Sequence, residues 1–229
     1  MINEKNLGDD MIYYYSIHKK LMNETIIHKS RFITYLFPIQ NAEQAEAYIE
    51  EIRKEHPKAN HHCYAYVMAS AQDVDIQKAS DDGEPSGTAG VPMLETIKKN
   101  DLSHILAIVV RYFGGIKLGT GGLIRAYGSA VSEAIKMADI IAHADQSKFH
   151  LHIDYRQNDS FQNYITHKAD VSVLEIVYTE RVTYTLACNP ESFEDISKAC
   201  TDFLHGQLSI EPLGEFMIDI PVSLEDKTP

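Results

Sequence analysis

Between Ser80 and Tyr127 the chain gathers the side chains best suited to chemistry. Asp81, Asp82 and Glu84 form an acidic run, Ser86 and Thr88 follow it, and Arg111, Lys117 and Arg125 flank five glycines, Gly114, Gly115, Gly119, Gly121 and Gly122. Three carboxylates at this spacing suit a Mg²⁺ ion beside phosphates, or an acid working with a base. The same residues also suit a structural use, favoured here: an Asp-Gly turn whose aspartate satisfies nearby backbone. Glycine at such density marks backbone that turns sharply or closely approaches another group. With three cations beside it, the group to expect is an anion; the competing reading is a tight loop with its cations solvated on the rim.

The elements that must position these residues follow from periodicity. Ile105 to Val110 has no charge and no turn former, which predicts a strand covered on both faces, with Arg111 at its end. Beyond the glycines, Leu123, Tyr127, Ala130, Val131, Ala134 and Ala138 recur at helical intervals, with Arg125, Ser129, Ser132 and Lys136 opposite, so a helix begins near Gly121. Its first N–H groups lack intrahelical partners and carry the positive end of the helix dipole, so strand, glycine loop and helix together make an anion seat. A second helix is expected from about Ala89 to Lys98. Neither phosphate-loop template fits: Thr120, not Lys, follows the Gly114 to Gly119 interval, and Ile124 stands where a third glycine would complete G-x-G-x-x-G.

Three segments carry a family resemblance. The run from Ser80 to Gly90, the run Val110-Arg-Tyr-Phe-Gly-Gly-Ile-Lys-Leu-Gly with Gly121-Gly-Leu-Ile-Arg-Ala-Tyr, and Ala59-Asn-His-His-Cys-Tyr-Ala-Tyr upstream resemble the signature of the IMPACT family, in its bacterial, YigZ-like branch. Lys29-Ser-Arg-Phe is a further similar segment, its two cations candidates for the neighbourhood of the seat. The resemblance implies an α+β protein in two parts. The N-terminal α/β domain is of the type shared with domain two of a small-subunit ribosomal protein and domain IV of elongation factor G, and the smaller C-terminal domain is ferredoxin-like. It also implies a connection with translation. His61 is the one family-matched histidine, so a Ser86–His61–Asp81 relay is the nucleophilic alternative. Three features depart from the pattern: His62 replaces an asparagine, Val91 stands where a basic residue is common, and Val67-Met68 follows Tyr-Ala-Tyr where a cation is common.

Bulk properties set limits. The 229 residues suffice for one large or two modest cores, and 44% hydrophobic with 24% charged residues is ordinary for a globular chain. The net charge of −12 opposes broad attraction to nucleic acid, so an RNA partner needs a local positive patch. Cys63, Cys188 and Cys200 are odd in number and far apart, which predicts reduced, buried thiols. No apolar run approaches a membrane span, and Glu4, Asp9 and Asp10 interrupt any basic-then-apolar leader, so the expected location is cytoplasmic.

Taken in order, Met11 to Ile17 and Glu24 to Pro38 read as strands with a turn at Leu21-Met-Asn; the consecutive Tyr13, Tyr14 and Tyr15 point to alternate faces rather than forming a stacking platform. Asn41 caps a helix that Pro57 ends, and His61 to Met68 is a strand on which only His61 and Cys63 share a face. Gln72 to Glu84 is polar and acidic. A first domain over 1–140, a linker from Ile140 to Ser147 and a second domain over 147–221 are expected. The second has the order β-α-β-β-α-β: Lys148 to Tyr155, Asn158 to Lys168, two strands in Val171 to Cys188 parted near Thr179, Glu191 to His205, and Gln207 to Pro221. Its His143, His150, His152, His167 and His205 show no recurring ligand interval and read as surface. No metal, cofactor or catalytic residue is expected, and the oligomeric state is open.

The resulting expectation is a binding protein connected with translation, touching RNA or a ribosome-associated partner through the glycine loop and its three cations. The alternative is an enzyme acting on a nucleotide or phosphorylated small molecule, with Mg²⁺ held by Asp81, Asp82 and Glu84.

Overall fold

The computed structural model of the chain describes residues 12–69, 75–168 and 170–222. Met11, Gln72 and the acids Glu4, Asp9 and Asp10 lie outside the described residues. The chain divides into two compact units, one covering Tyr14–Ala142 and the other running from His143 onward with Tyr13. Among the described residues no helix is long and apolar enough to cross a membrane.

The first unit is built on a five-stranded sheet of order β2(Leu21–Ile27), β3(Ser30–Pro38), β6(Ile105–Tyr112), β4(His61–Met68), β5(Ile76–Ser80), with β1(Ile12–Ile17) outside it. Every neighbouring pair in this sheet is antiparallel. Because β6 is central and covered on both faces, Ile105 through Arg111 are all buried, which is why its sequence is one unbroken apolar run. Leu106, Ile108 and Val110 pack with Ile33, Tyr64 and Tyr66 against Ala45, Ile49 and Ile52 of helix α1(Ala42–Glu55). The opposite parity, including Arg111, faces α2(Gly90–Lys99) and α3(Gly119–Lys136), so strand alternation alone turns Arg111 toward Tyr127 of α3.

Two local boundaries differ from expectation. Leu21, Met22 and Asn23 are strand residues paired with Leu36, Tyr35 and Thr34, not a turn. The reversal comes at His28 and Lys29, whose φ values of 46° and 64° make a two-residue hairpin of the left-handed type that matches strand twist. Asn41 does cap α1: its Oδ1 accepts from the Gln44 amide at 2.8 Å. The three tyrosines diverge, Tyr13 donating to Asp145 at 2.7 Å while Tyr14 stacks on His104.

The second unit follows β7(Ile140–Ile153), α4(Tyr155–Thr166), β8(Val171–Tyr178), β9(Val182–Cys188), a short 3₁₀ turn at Pro190–Ser192, α5(Phe193–Phe203) and β10(Ser209–Val222). β1 and β10 both pair with β7 in a five-stranded sheet, in which β10-β7-β9-β8 is the ferredoxin-like order, with β9 separating two strands joined by a helical crossover. Phe149, Leu151, Ile153, Phe161, Tyr184 and Ile196 fill its core. The expected linker from Ile140 to Ser147 is instead the first half of the continuous strand β7. Ala142, Ala144 and Gln146 are buried there while His143, Asp145 and Ser147 are not, a period of two written in residues that are poor strand markers.

All three cysteines are buried thiols outside any disulfide. Burial pushes the Cys63 thiol up to about 12 and the Cys200 thiol up to about 11. At pH 8 only about one Cys63 in 10⁴ is then the nucleophilic thiolate. The native protein should therefore release essentially no chromophore from a disulfide reagent at pH 8 within minutes, and three equivalents per chain after addition of denaturant. Rapid titration of one thiol in the native state would contradict this packing.

Candidate functional site

Arg111 is the residue on which the site is built. It is 5% exposed, and its Nη1 donates to Glu84 Oε1 at 2.5 Å. Nη2 donates to Ser30 Oγ at 3.3 Å, and the guanidinium lies against the Phe32 and Phe113 rings, 5.3 and 5.6 Å from their centroids. Glu84 is itself buried and accepts a second bond from the Tyr127 hydroxyl at 2.9 Å. Burial, foremost, drives the Tyr127 hydroxyl far above its ordinary value, so it remains a donor. A buried ion pair of this kind repays its desolvation only when its remaining donors and acceptors are satisfied, and among the described residues Arg111 Nε has no partner.

The glycine loop leaves β6 beside this pair. Gly114 is obligatory for close approach: a Cβ there would stand 2.0 Å from the Lys29 carbonyl carbon and oxygen. Its amide donates to Ser30 Oγ at 3.2 Å, so Ser30 ties the β2–β3 hairpin to both the loop and Arg111. Gly115 and Gly119 have φ values of 84° and 68°, where a side chain is strained. Helix α3 then starts at Gly119, two residues before the expected position, with no capping side chain and no acid in its first turn. Gly119 and Thr120 of that turn, with Lys117, Leu118, Leu123, Glu84, Pro85, Arg111 and Phe113, line a cavity of about 390 Å³.

The predicted residues divide. Arg111, Lys117 and Gly119 come together on the cavity, but Arg125 is not among its lining residues; it is exposed on α3, its Nη1 3.5 Å from where a Gly121 side chain would begin. Gly121 and Gly122 occupy the first turn of the helix. The three-cation patch is thus corrected: Arg111 is buried against Glu84, and Lys117 is the exposed cation on the cavity wall. Nor do the Lys29-Ser-Arg-Phe cations both approach it, because Arg31 is held by a bidentate pair with Glu24 at 2.7 and 2.8 Å.

The three acids point three ways. Asp81 accepts the amides of Gly87, Ala89 and Gly90 at 2.8 to 2.9 Å and so caps the start of α2; desolvation pushes its carboxyl up, but these amides outweigh it and hold it below the usual carboxylate range. Asp82 accepts from the His62 amide at 2.6 Å and from Arg53 at 3.3 Å. Only Glu84 reaches the cavity, so the trio does not assemble around one Mg²⁺. The relay is not assembled either. His61 Nδ1 donates to the Asp82 carbonyl at 2.9 Å with Nε2 3.8 Å from Glu84, Asp81 is committed to amides, and Ser86 is exposed. Thr88 Oγ1 donates to the Pro85 carbonyl at 2.6 Å.

Sequence reading missed Tyr127 as a partner of Glu84, and Ser30 as the bracket between hairpin and loop. It also missed a separate grouping in the second unit. His150 and His152 of β7 and Glu211 of β10 bring their ligand atoms within 4.8 Å of one another. The signal for the first two was present, since residues two apart on a strand share a face.

These features define a two-unit α+β protein with a polar cavity at the uncapped start of a helix. The Impact N-terminal domain model matches residues 28–135, and that of a domain of unknown function, DUF1949, matches residues 151–207. The chain is 39% identical over 198 residues to IMPACT family member YvyE of Bacillus subtilis, covering 86% of this chain and 90% of that one. It is 36% identical over 189 residues to IMPACT family member YigZ of Escherichia coli, covering 82% and 92%. A crystal structure described as that of a hypothetical protein superposes with a TM-score of 0.56 at 34% identity, covering 88% of this chain and 97% of that one. The chain belongs to the IMPACT family.

Removing one member of the buried pair should be far worse than removing both. Glu84→Leu, which strands the Arg111 charge, is expected to destabilise by about 3–5 kcal/mol, and Arg111→Met by a similar amount. The Glu84→Leu/Arg111→Met double variant should recover at least half of the summed loss. Denaturant unfolding of the four proteins measures the coupling; strict additivity would show that the pair is not a unit.

Proposed function

We propose that this protein is a cytoplasmic, translation-related binding protein that receives phosphate groups of RNA, or of a ribosome-associated partner, in the cavity at the start of α3. The observation that carries the reading is the first turn of α3: Gly119, Thr120, Gly121 and Gly122 present backbone N–H groups with no capping side chain and no acid. Unsatisfied amides and the helix dipole together favour an anion there. Lys117 adds a cation on the same wall, and two flanking glycines keep side chains away from the backbone. A net charge of −12 confines attraction for nucleic acid to such a local feature. Membership in the IMPACT family is consistent with a role in translation.

The concavity of the site favours a second reading, an enzyme acting on a nucleotide or phosphorylated small molecule. A volume of about 390 Å³ falls within the range of small-ligand pockets. Against it stands the dispersal of Asp81 and Asp82, which leaves Glu84 as the one acid of the trio on the cavity, already bonded to Arg111 and Tyr127. The binding reading needs no metal and is preferred.

Binding of an unstructured RNA oligonucleotide across a salt series tests it. Affinity should fall with salt, and Lys117→Ala should weaken binding at low salt while lowering the log–log salt slope by about 0.7, one phosphate contact on a single strand. An unchanged affinity and slope in Lys117→Ala would remove this cavity as the point of contact.

A further inference from the structure

In the second unit, β10 pairs with β7 alone among the described strands, and Pro212 interrupts the donor row of this edge. The exposed sheet face carries His150 and His152, two residues apart on β7 and therefore side by side, with Glu211 of β10 next to them. Glu211 Oε2 stands 3.8 Å from His150 Nδ1 and 3.7 Å from His152 Nε2. The ring of His152 is also oriented from behind: its Nδ1 lies 2.9 Å from Thr183 Oγ1 on β9. With Nδ1–H donating to that hydroxyl, the lone pair falls on Nε2, the nitrogen that faces Glu211. Such an outer partner fixing tautomer and ring angle is the usual accompaniment of a metal-binding imidazole.

We propose that His150 Nδ1, His152 Nε2 and a Glu211 carboxylate oxygen form a binding site for a divalent transition-metal ion, a site that pins strand β10 to β7. The ligand set is two neutral imidazoles and one carboxylate, which suits zinc and its neighbours among the first-row metals and not Mg²⁺ or Ca²⁺. Zinc bonds of about 2.0–2.2 Å place tetrahedral ligand atoms roughly 3.3–3.5 Å apart. The two carboxylate–imidazole separations of 3.7 and 3.8 Å need to close by only about 0.4 Å, which Glu211, at 64% side-chain exposure, is free to supply, and the two imidazole nitrogens, within 4.8 Å of each other, close the remainder by turning about their side-chain bonds. Three protein ligands leave a fourth position toward solvent, so the ion is held by a face and not enclosed. The seat spans two strands, so an ion in it adds a cross-link that the β7–β10 ladder lacks. The site is independent of the cavity at α3, and neither reading depends on the other.

The test is calorimetric titration of the full chain, freed of metal with a chelator and then given Zn²⁺ alone. One equivalent should bind, and saturating Zn²⁺ should raise the melting temperature. His152→Ala and Glu211→Ala should each abolish the saturable heat while circular dichroism stays unchanged. Thr183→Val, which removes no ligand, should weaken binding about tenfold or more. His143→Ala, a histidine of the same strand paired with Asp219 and outside the trio, should bind as the parent does. Zinc binding that survives in the His150→Ala/His152→Ala variant, that is lost equally in His143→Ala, or that is not detected in the parent chain would overturn the assignment.

Discussion

A guanidinium removed almost wholly from water needs compensation, and the first unit is arranged around providing it at both terminal nitrogens of Arg111. The strand parity of β6 turns this side chain toward the helices. The acidic segment before α2 delivers Glu84 to it, Tyr127 of α3 completes the Glu84 carboxylate, and Ser30 of the hairpin meets the other end of the guanidinium. Four separate chain segments thus meet at one charge pair, so losing either charge affects the placement of all four. Hydrophobic packing against α1 on the other face of the sheet carries no such demand for identity.

The cavity follows from this arrangement. Gly114 must be glycine because the hairpin backbone lies against it, and Gly115 and Gly119 adopt backbone angles that side chains resist. The loop is therefore drawn back far enough for the first turn of α3 to open beside the buried pair. Burial of Arg111 against Glu84 leaves its charge largely neutralised, so the free positive character of the cavity comes from Lys117 and the helix amides. That is a smaller and more directional source than three clustered cations, and it suits one phosphate group better than a broad polyanion face.

How much of this was legible from residues alone varies by element. The buried strand β6, the Asn41 cap, the strand at His61 and the β-α-β-β-α-β order of the second unit all followed from pattern, because each is a local periodicity with a local stop signal. The hairpin at His28-Lys29 was hidden, since neither residue is a glycine or asparagine although both adopt left-handed angles. The start of β7 was hidden because its buried positions are alanines and a glutamine. Within the site, the glycine loop was legible, but the directions of Asp81, Asp82 and Glu84 were not. Successive residues in a turn point wherever the backbone sends them, and one acid caps α2, one meets Arg53 and the His62 amide, and one enters the core. The same limit hid the pairing of His150 and His152 with Glu211, which is set by strand register across a long sequence interval.

The proposed binding role requires negative charge to lodge on the amides at the start of α3. Amide chemical shifts of the ¹⁵N-labelled full chain, followed while inorganic phosphate and then a short RNA are added at low salt, address it most directly. The amides of Gly119, Thr120, Gly121 and Gly122 should move most, saturate together, and respond less in Lys117→Ala. Shifts that leave these four amides still while others saturate would contradict it.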